Sequence, residues 1–175
     1  MDPQERLVLQ AAWHAMEDAG ITRRQLREVY QHRLGVFAGV TKTGFDLIGQ
    51  AQRDQGKVAF PHTSFGSIAN RVSYILDAHG PSMPIDTMCS SGLTAIHQAC
   101  KALLSGECDL ALATAVNLYL HPSNYTGLSS AYMLSPTGRC HSFGSAADGY
   151  VPGEGVGAFL LKPLARSEEH TSELQ

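Results

Sequence analysis

One cysteine in this chain stands where a thiol can act as a nucleophile. Cys89 lies within Asp86-Thr87-Met88-Cys89-Ser90-Ser91-Gly92, between two differently patterned stretches. Met83 to Met88 is short and apolar-biased, which suits the end of a strand. After Cys89, three small residues permit a tight corner. Leu93, Ile96, Cys100 and Leu103 then recur at helical spacing, and Gly106 stands where a helix C-cap is expected. The spacing therefore predicts Cys89 on a sharp strand-to-helix turn. Unpaired N–H groups and the dipole at a helix N-terminus favour negative charge, hence the thiolate. A backbone N–H beside the sulfur would also meet the oxyanion formed when the thiolate attacks a carbonyl. This is the logic of a nucleophile elbow with cysteine in place of serine. The competing reading of Cys89 is a small buried hydrophobe, a common fate of free cysteines.

The other chemistry-bearing residues point elsewhere or nowhere. Cys100, Cys108 and Cys140 form no C-x-x-C pair with each other or with Cys89, and the eight histidines show no metal-ligand spacing. No zinc or other metal is therefore expected. His97 follows the cysteine on the helix and reads as a packing or partly exposed residue. His62, His79, His121 and His141 sit in or near turns, and none is expected to be a catalyst.

Around this corner the chain alternates helix and strand. Asp2-Pro3-Gln4-Glu5 is a helix start, with Asp2 as N-cap, proline at the first helical position and Glu5 closing a capping box. Leu9, Ala12, Trp13 and Met16 line one face, and Gly20 ends the helix. Ile21 to Tyr30 predicts a second, shorter helical piece. Leu34 to Val40 reads as a buried strand whose glycines let another backbone approach. Thr41 to Lys57 predicts a loop with some helix. Ile68, Val72 and Ile75 mark a helix beginning at Ser64 and ended by Asp77 to Pro81. Asp109 to Val116 is the next strand, so strand, Cys89, helix and strand form a βαβ unit in a sheet buried on both faces. The segment from His121 to Pro136 is expected to be partly helical. Gly149 to Gly157 looks superficially like a dinucleotide loop. The stretch that it leads into, Val156 to Leu161, is strand-like and not an amphipathic helix, so the loop reads as a tight turn feeding a core strand.

Several blocks of the chain, in order, resemble the β-ketoacyl synthases, the condensing enzymes of fatty acid and polyketide assembly. They are Met1 to Leu7, Asp86 to Ala95 around Cys89, Ser105 to Ala113, Leu134 to Cys140 and Gly153-Glu154-Gly155. The resemblance runs from Met1 to about Ala165, with a looser patch at Thr41 to Val58. Its flavour is that of ketosynthase domains in modular polyketide synthases. His121-Pro122-Ser123 and Gly149 to Gly155 lean towards assembly lines with a separate acyltransferase.

The resemblance implies an α/β protein with the thiolase-like fold, layered α/β/α/β/α, of which residues 1–165 supply most of the N-terminal half. It implies that Cys89 takes an acyl group from a carrier protein's phosphopantetheine and condenses it with a decarboxylating malonyl-type extender. The partners it implies are an acyl carrier protein and, in the intact domain, a second copy in a homodimer. Phosphopantetheine travels on the carrier, so no cofactor of the chain's own is expected. Two histidines support decarboxylation in this family, within His-Gly-Thr-Gly and Gly-His motifs, and neither motif occurs here. A non-elongating acyl-transfer domain is the alternative. A structural partner subunit is disfavoured because such relatives replace the nucleophile that Cys89 retains.

The family's Met-Asp-Pro motif is internal, so Met1 leads us to expect a fragment truncated at both ends. Arg166 to Gln175 departs from the family and resembles the translation of a sequencing-library adapter, so residues 166–175 are expected to be a non-native tail. Half a domain would uncover an apolar face. Exposing several hundred Å2 at ~25 cal/mol per Å2 costs on the order of ten kcal/mol, so the isolated chain is expected to fold poorly and to be inactive. Composition sets the remaining bounds. With 43% hydrophobic and 17% charged residues, the chain is that of an ordinary globular protein. A net charge of −3 gives no reason to expect nucleic acid as a partner. No membrane span and no export signal are evident, so a cytoplasmic location with reduced cysteines is expected.

Overall fold

In the computed structural model, residues 1–58 and 64–164 are described; His62 and the tail at 166–175 lie outside them. The chain divides into two compact units. The first comprises Met1–Thr41, Ser64–Val116 and the segment from Val156 on, and the second Lys42–Thr63 and Asn117–Gly155.

The first unit opens with helix α1 (Pro3–Asp18), capped by Asp2, whose carboxylate accepts the Gln4 N–H at 2.8 Å. Glu5, expected to close a capping box, instead accepts from Ser67 Oγ at 2.7 Å and from the Arg71 guanidinium. Its side chain is almost fully buried, and a buried carboxylate is held more firmly by a guanidinium than by one backbone amide. The buried face of α1 is Gln4, Glu5, Val8, Ala12 and Met16. Trp13, read from the sequence as part of that face, is instead partly exposed under the Arg23 guanidinium, 5.4 Å from its ring centre. Helix α2 (Arg23–Glu28) is shorter than expected and begins in a capping box between Thr22 and Gln25.

Strand β1 (Leu34–Val40) is buried along its whole length. Helix α4 (Phe65–Leu76) follows after the second unit's helix α3 (Phe45–Asp54), and ends at Asp77 in left-handed backbone. Strand β2 (Ser82–Ile85), helix α5 (Ser91–Leu104), strand β3 (Leu110–Asn117) and strand β4 (Gly155–Leu161) complete the unit. The sheet order is β2-β1-β3-β4. β1 is parallel to both β2 and β3, so the expected βαβ unit crosses over β1 instead of joining adjacent strands.

Phe37, Ala111 and Ala113 of the sheet pack with Ile85, Cys108 and with Ala95, Ala99 and Ala102 of α5. By strand alternation, Leu34, Val36, Ala38 and Val40 point to the other face. There α4 packs on β1 and β2, and α1 packs on α4. The buried stripe of α5 is thus Ser91, Ala95, Ala99 and Ala102, with Ile96 and Leu103 only partly covered. Leu93 and Leu104 are 75% and 88% exposed. Small residues let the helix axis approach the sheet, and the large apolar ones are left on the outer side. The expectation of a sheet buried on both faces holds for β1 and β3 and fails for β2, whose Met83 and Pro84 are exposed. It also fails for β4, whose Phe159 is 60% exposed, so the glycine-rich turn does not feed a core strand within this chain.

The second unit holds α3 and helix α6 (Ser123–Ser130). Asn124 Nδ2 donates to the Thr43 carbonyl, and Lys42 sits over the Tyr119 ring. Two of the sequence blocks meet here. Tyr150 N–H donates to the Met133 carbonyl and Ser135 N–H to the Tyr150 carbonyl, each at 3.0 Å. A Cβ at Gly149 would lie 2.5 Å from Ser135 N, so only glycine fits this crossing. Glu154 accepts the Tyr119 N–H and Asn117 Nδ2 donates to the Gly153 carbonyl, both at 2.6 Å.

Candidate active site

Cys89 stands at the corner between β2 and α5, and its side chain is exposed. Ser90 is the N-cap position of α5, so the cysteine lies one residue ahead of the cap. Met88, just before it, has φ +59°, a left-handed conformation that costs a side-chain-bearing residue about 1 kcal/mol or more. The surroundings hold that strain in place. Asp86 Oδ1 accepts the Met88 N–H at 3.0 Å and the Thr41 hydroxyl at 2.7 Å, which ties the corner to the end of β1. Ser91 Oγ accepts the Thr87 N–H at 2.9 Å and donates to the Met88 carbonyl at 2.6 Å. Ser90 Oγ donates to the Thr87 carbonyl at 2.8 Å, and the Thr87 and Thr94 hydroxyls pair at 2.9 Å.

These bonds engage the amides of Thr87 and Met88, and the Ser91 N–H donates to the Met88 carbonyl at 3.1 Å. The Cys89 amide takes part in none of them. Thiol and neighbouring N–H thus share a fixed corner at the positive end of a helix, the arrangement that stabilises an oxyanion formed on attack at a carbonyl.

The floor beneath the corner is made of small residues in register. Gly39 of β1 pairs with Ala115 of β3. A Cβ on Gly39 would lie 2.8 Å from the Ser91 carbonyl carbon and 2.9 Å from Gly92 N, and one on Gly92 would lie 3.1 Å from the Ala115 Cβ. The first turn of α5 therefore rests directly on the sheet. The glycine-for-approach reading of β1 holds at Gly39. At Gly35 the near neighbours are instead the Phe37 ring and the Cys108 sulfur.

Thr41, Asp86 and Ser91 hold this corner together, a role the sequence did not single out. The signal was present for Asp86, because an aspartate two residues before an N–H in a turn is an Asx-turn pattern. Thr41 had no such signal, being 45 residues from Asp86.

Of the other cysteines, Cys108 is buried, while Cys100 and Cys140 are exposed, the latter accepting the Val151 N–H at 3.1 Å. Burial pushes the Cys108 thiol pKa up, helped by the Asp109 and Glu107 carboxylates and opposed by the Gly35 amide and Arg33. Among the described residues no histidine hydrogen-bonds to the Cys89 corner. His97 is exposed on α5, and His121 pairs with Ser123 at 2.9 Å. His32, Asp77 and His79 do converge, although sequence spacing gave no hint of a ligand cluster. Among the described residues no helix is long and apolar enough to cross a membrane.

Residues 1–167 match the family described as beta-ketoacyl synthase, N-terminal domain. Polyketide synthase ThaG of Burkholderia thailandensis is 55% identical over 164 residues, which are 94% of this chain and 3% of ThaG. Polyketide synthase PksL of Bacillus subtilis is 50% identical over 97% of this chain and 4% of its own length. The oxazolomycin ketosynthase domain OzmH KS7 of Streptomyces albus superposes with a TM-score of 0.90 at 48% identity, over 96% of this chain and 30% of that one. The chain thus spans a few per cent of the curated relatives it matches, and under a third of a solved ketosynthase.

Proposed function

Because the chain belongs to the β-ketoacyl synthase family, whose solved ketosynthase members share the thiolase-like fold, we propose that Cys89 is the nucleophile of a polyketide ketosynthase. In this reading residues 1–165 form most of the N-terminal half of that domain, and residues 166–175 are a non-native tail. The observation that carries the role of Cys89 is its exposed thiol, one residue ahead of a helix N-cap, on a corner braced by Asp86, Ser91 and Thr41.

The Cys89 thiolate attacks the thioester carbonyl of an acyl chain carried on an acyl carrier protein. The carrier's thiol leaves, and the acyl group becomes a Cys89 thioester. The Cys89 amide and the helix N-terminus stabilise the intervening oxyanion. A malonyl-type extender on a carrier then loses CO2, and its carbanion attacks the Cys89 thioester. A β-ketoacyl chain two carbons longer departs on the carrier, and the thiolate of Cys89 is restored. Charge on the extender's thioester oxygen requires donors that this segment does not supply, since the family's two histidine motifs are absent from it. The outward apolar residues Leu93, Leu104 and Phe159 would pack against the other half of the domain. The chain by itself would therefore be inactive.

The test uses the complete ketosynthase that contains this segment. It is incubated with an acyl thioester and the adduct is mapped by mass spectrometry. An acyl group on Cys89, lost in Cys89→Ala, is the expected result. Acylation at another residue, or an unchanged adduct in Cys89→Ala, would overturn the assignment. Release of CO2 from a malonyl carrier after acylation separates elongation from simple acyl transfer.

A further inference from the structure

We propose that His32, Asp77 and His79 form a site for a divalent transition-metal ion of the zinc type, at the end of β2 opposite Cys89. The three residues come from two turns 45 positions apart, the one before β1 and the one between α4 and β2. Their backbones are laced together. His79 N–H donates to the His32 carbonyl at 2.8 Å, Gly80 N–H to the Leu34 carbonyl at 3.0 Å, and Val36 N–H to the Pro81 carbonyl at 2.7 Å. A Cβ on Gly80 would lie 2.6 Å from the Leu34 oxygen, so glycine is what lets the turns close to this distance. His32 and Asp77 both carry left-handed backbone, with φ of +62° and +55°. Two such residues without glycine's freedom face each other across the gap.

The side chains converge as well. One donor atom from each residue lies within 4.8 Å of the other two. His32 Nδ1 donates to the Asp77 carbonyl oxygen at 2.8 Å, a bond that an ion at Nδ1 would replace, and lies 3.3 Å from Asp77 Oδ2; His79 Nε2 is 3.1 Å from Asp77 Oδ1. The two imidazole rings stack with centroids 4.8 Å apart and planes 21° from parallel. Two imidazoles and one carboxylate are the donor set of zinc and its borderline neighbours, and hard ions such as Mg2+ prefer oxygen alone. The set carries one negative charge, which a dication overcompensates without crowding. The Asp77 and His79 side chains are mostly exposed, so an ion enters from solvent and meets ligand atoms already within 4.8 Å of one another. Three protein donors leave a position for water.

The site is not part of the thiol chemistry. β2 is four residues long, which separates the two corners by roughly 13 Å or more. An ion there would act as a staple, joining the turn ahead of β1 to the turn ahead of β2. This inference does not depend on the role assigned to Cys89.

The experiment is calorimetric titration of the chelator-treated complete ketosynthase with ZnCl2, beside its Asp77→Asn/His79→Gln variant. Asparagine tolerates left-handed backbone and residue 79 is exposed, so the double variant should fold. The expected result is one equivalent of Zn2+ fewer in the variant, or binding weakened by more than about tenfold. A melting temperature raised by Zn2+ in the wild type and not in the variant is expected alongside. If circular dichroism shows the double variant unfolded, His79→Gln alone is titrated with the same expectation. Equal stoichiometry and affinity in wild type and variant would overturn the proposal and leave a purely hydrogen-bonded cluster.

Discussion

The two ends of β2 are built alike and carry different chemistry. At each end a turn is pressed against β1 by one glycine, Gly80 against the Leu34 carbonyl and Gly39 under the first turn of α5. At each end a residue other than glycine takes left-handed backbone, Asp77 before the strand and Met88 after it. The end nearer α4 gathers imidazoles and a carboxylate from separate segments. The end leading into α5 presents one thiol on a contiguous segment, at the positive pole of a helix. The same backbone device thus frames both corners, and the side chains that project from it and the dipole behind it make them chemically different.

The contrast between the two ends is tested most severely at the thiol. In the complete ketosynthase, Cys89→Ala is expected to lower condensation by several orders of magnitude, as removing a covalent nucleophile does. His79→Gln should leave the rate of Cys89 acylation unchanged. If His79→Gln slowed acylation as strongly, the two ends would not be independent.

The glycines come next. Adding a methyl group at Gly39 or Gly80 forces backbone apart, and each change to alanine should cost roughly 1–3 kcal/mol in urea unfolding. Only Gly39→Ala is expected to slow acylation as well, because only it displaces the first turn of α5. Equal acylation rates in the two variants would show that the corner tolerates displacement.

Ser91→Ala is a smaller change at the same corner. It removes the partner of the Thr87 N–H, while the Met88 carbonyl keeps the Ser91 N–H at 3.1 Å, and should lower stability by roughly 1–2 kcal/mol. Acylation should fall with it, since Met88 loses part of what holds its left-handed backbone.

Smallest is a pH effect away from both ends. Burial raises the Cys108 thiol pKa in the folded state above its unfolded value. The folded protein therefore keeps that proton to higher pH than the unfolded chain. The associated stability is complete below the ordinary thiol range and is lost as pH rises through that range to the folded value. Urea midpoints measured from pH ~8 to ~10.5, across the usual thiol range, should fall more steeply in the wild type than in Cys108→Ala.

What the sequence by itself determined is what local physics controls. Asp2-Pro3 starts a helix, Leu34 to Val40 makes a strand, and the run of small residues after Cys89 turns a strand into a helix. Each signal is carried by residues adjacent in the chain, so capping, periodicity and turn chemistry suffice to read it. The thiol's place at the corner was legible for that reason. The blocks resembling ketosynthases added the thiolase-like fold, which the superposition with OzmH KS7 bears out.

Tertiary structure decided whatever depends on residues distant in sequence. Helical spacing marked Leu93 and Cys100 on α5, yet the sheet accepted the alanine stripe, because close approach favours small side chains over large ones. Glu5 turned to Arg71, 66 residues away, because a buried carboxylate gains more from a guanidinium than from a cap. β1 came to lie between β2 and β3, which no single stretch of chain records. Thr41 met Asp86, and His32 met Asp77 and His79, across the 45 residues separating one pass through the sheet from the next. Pairing strands side by side creates such neighbours. Sequence spacing cannot name them, because the register that joins them is set only when the sheet forms.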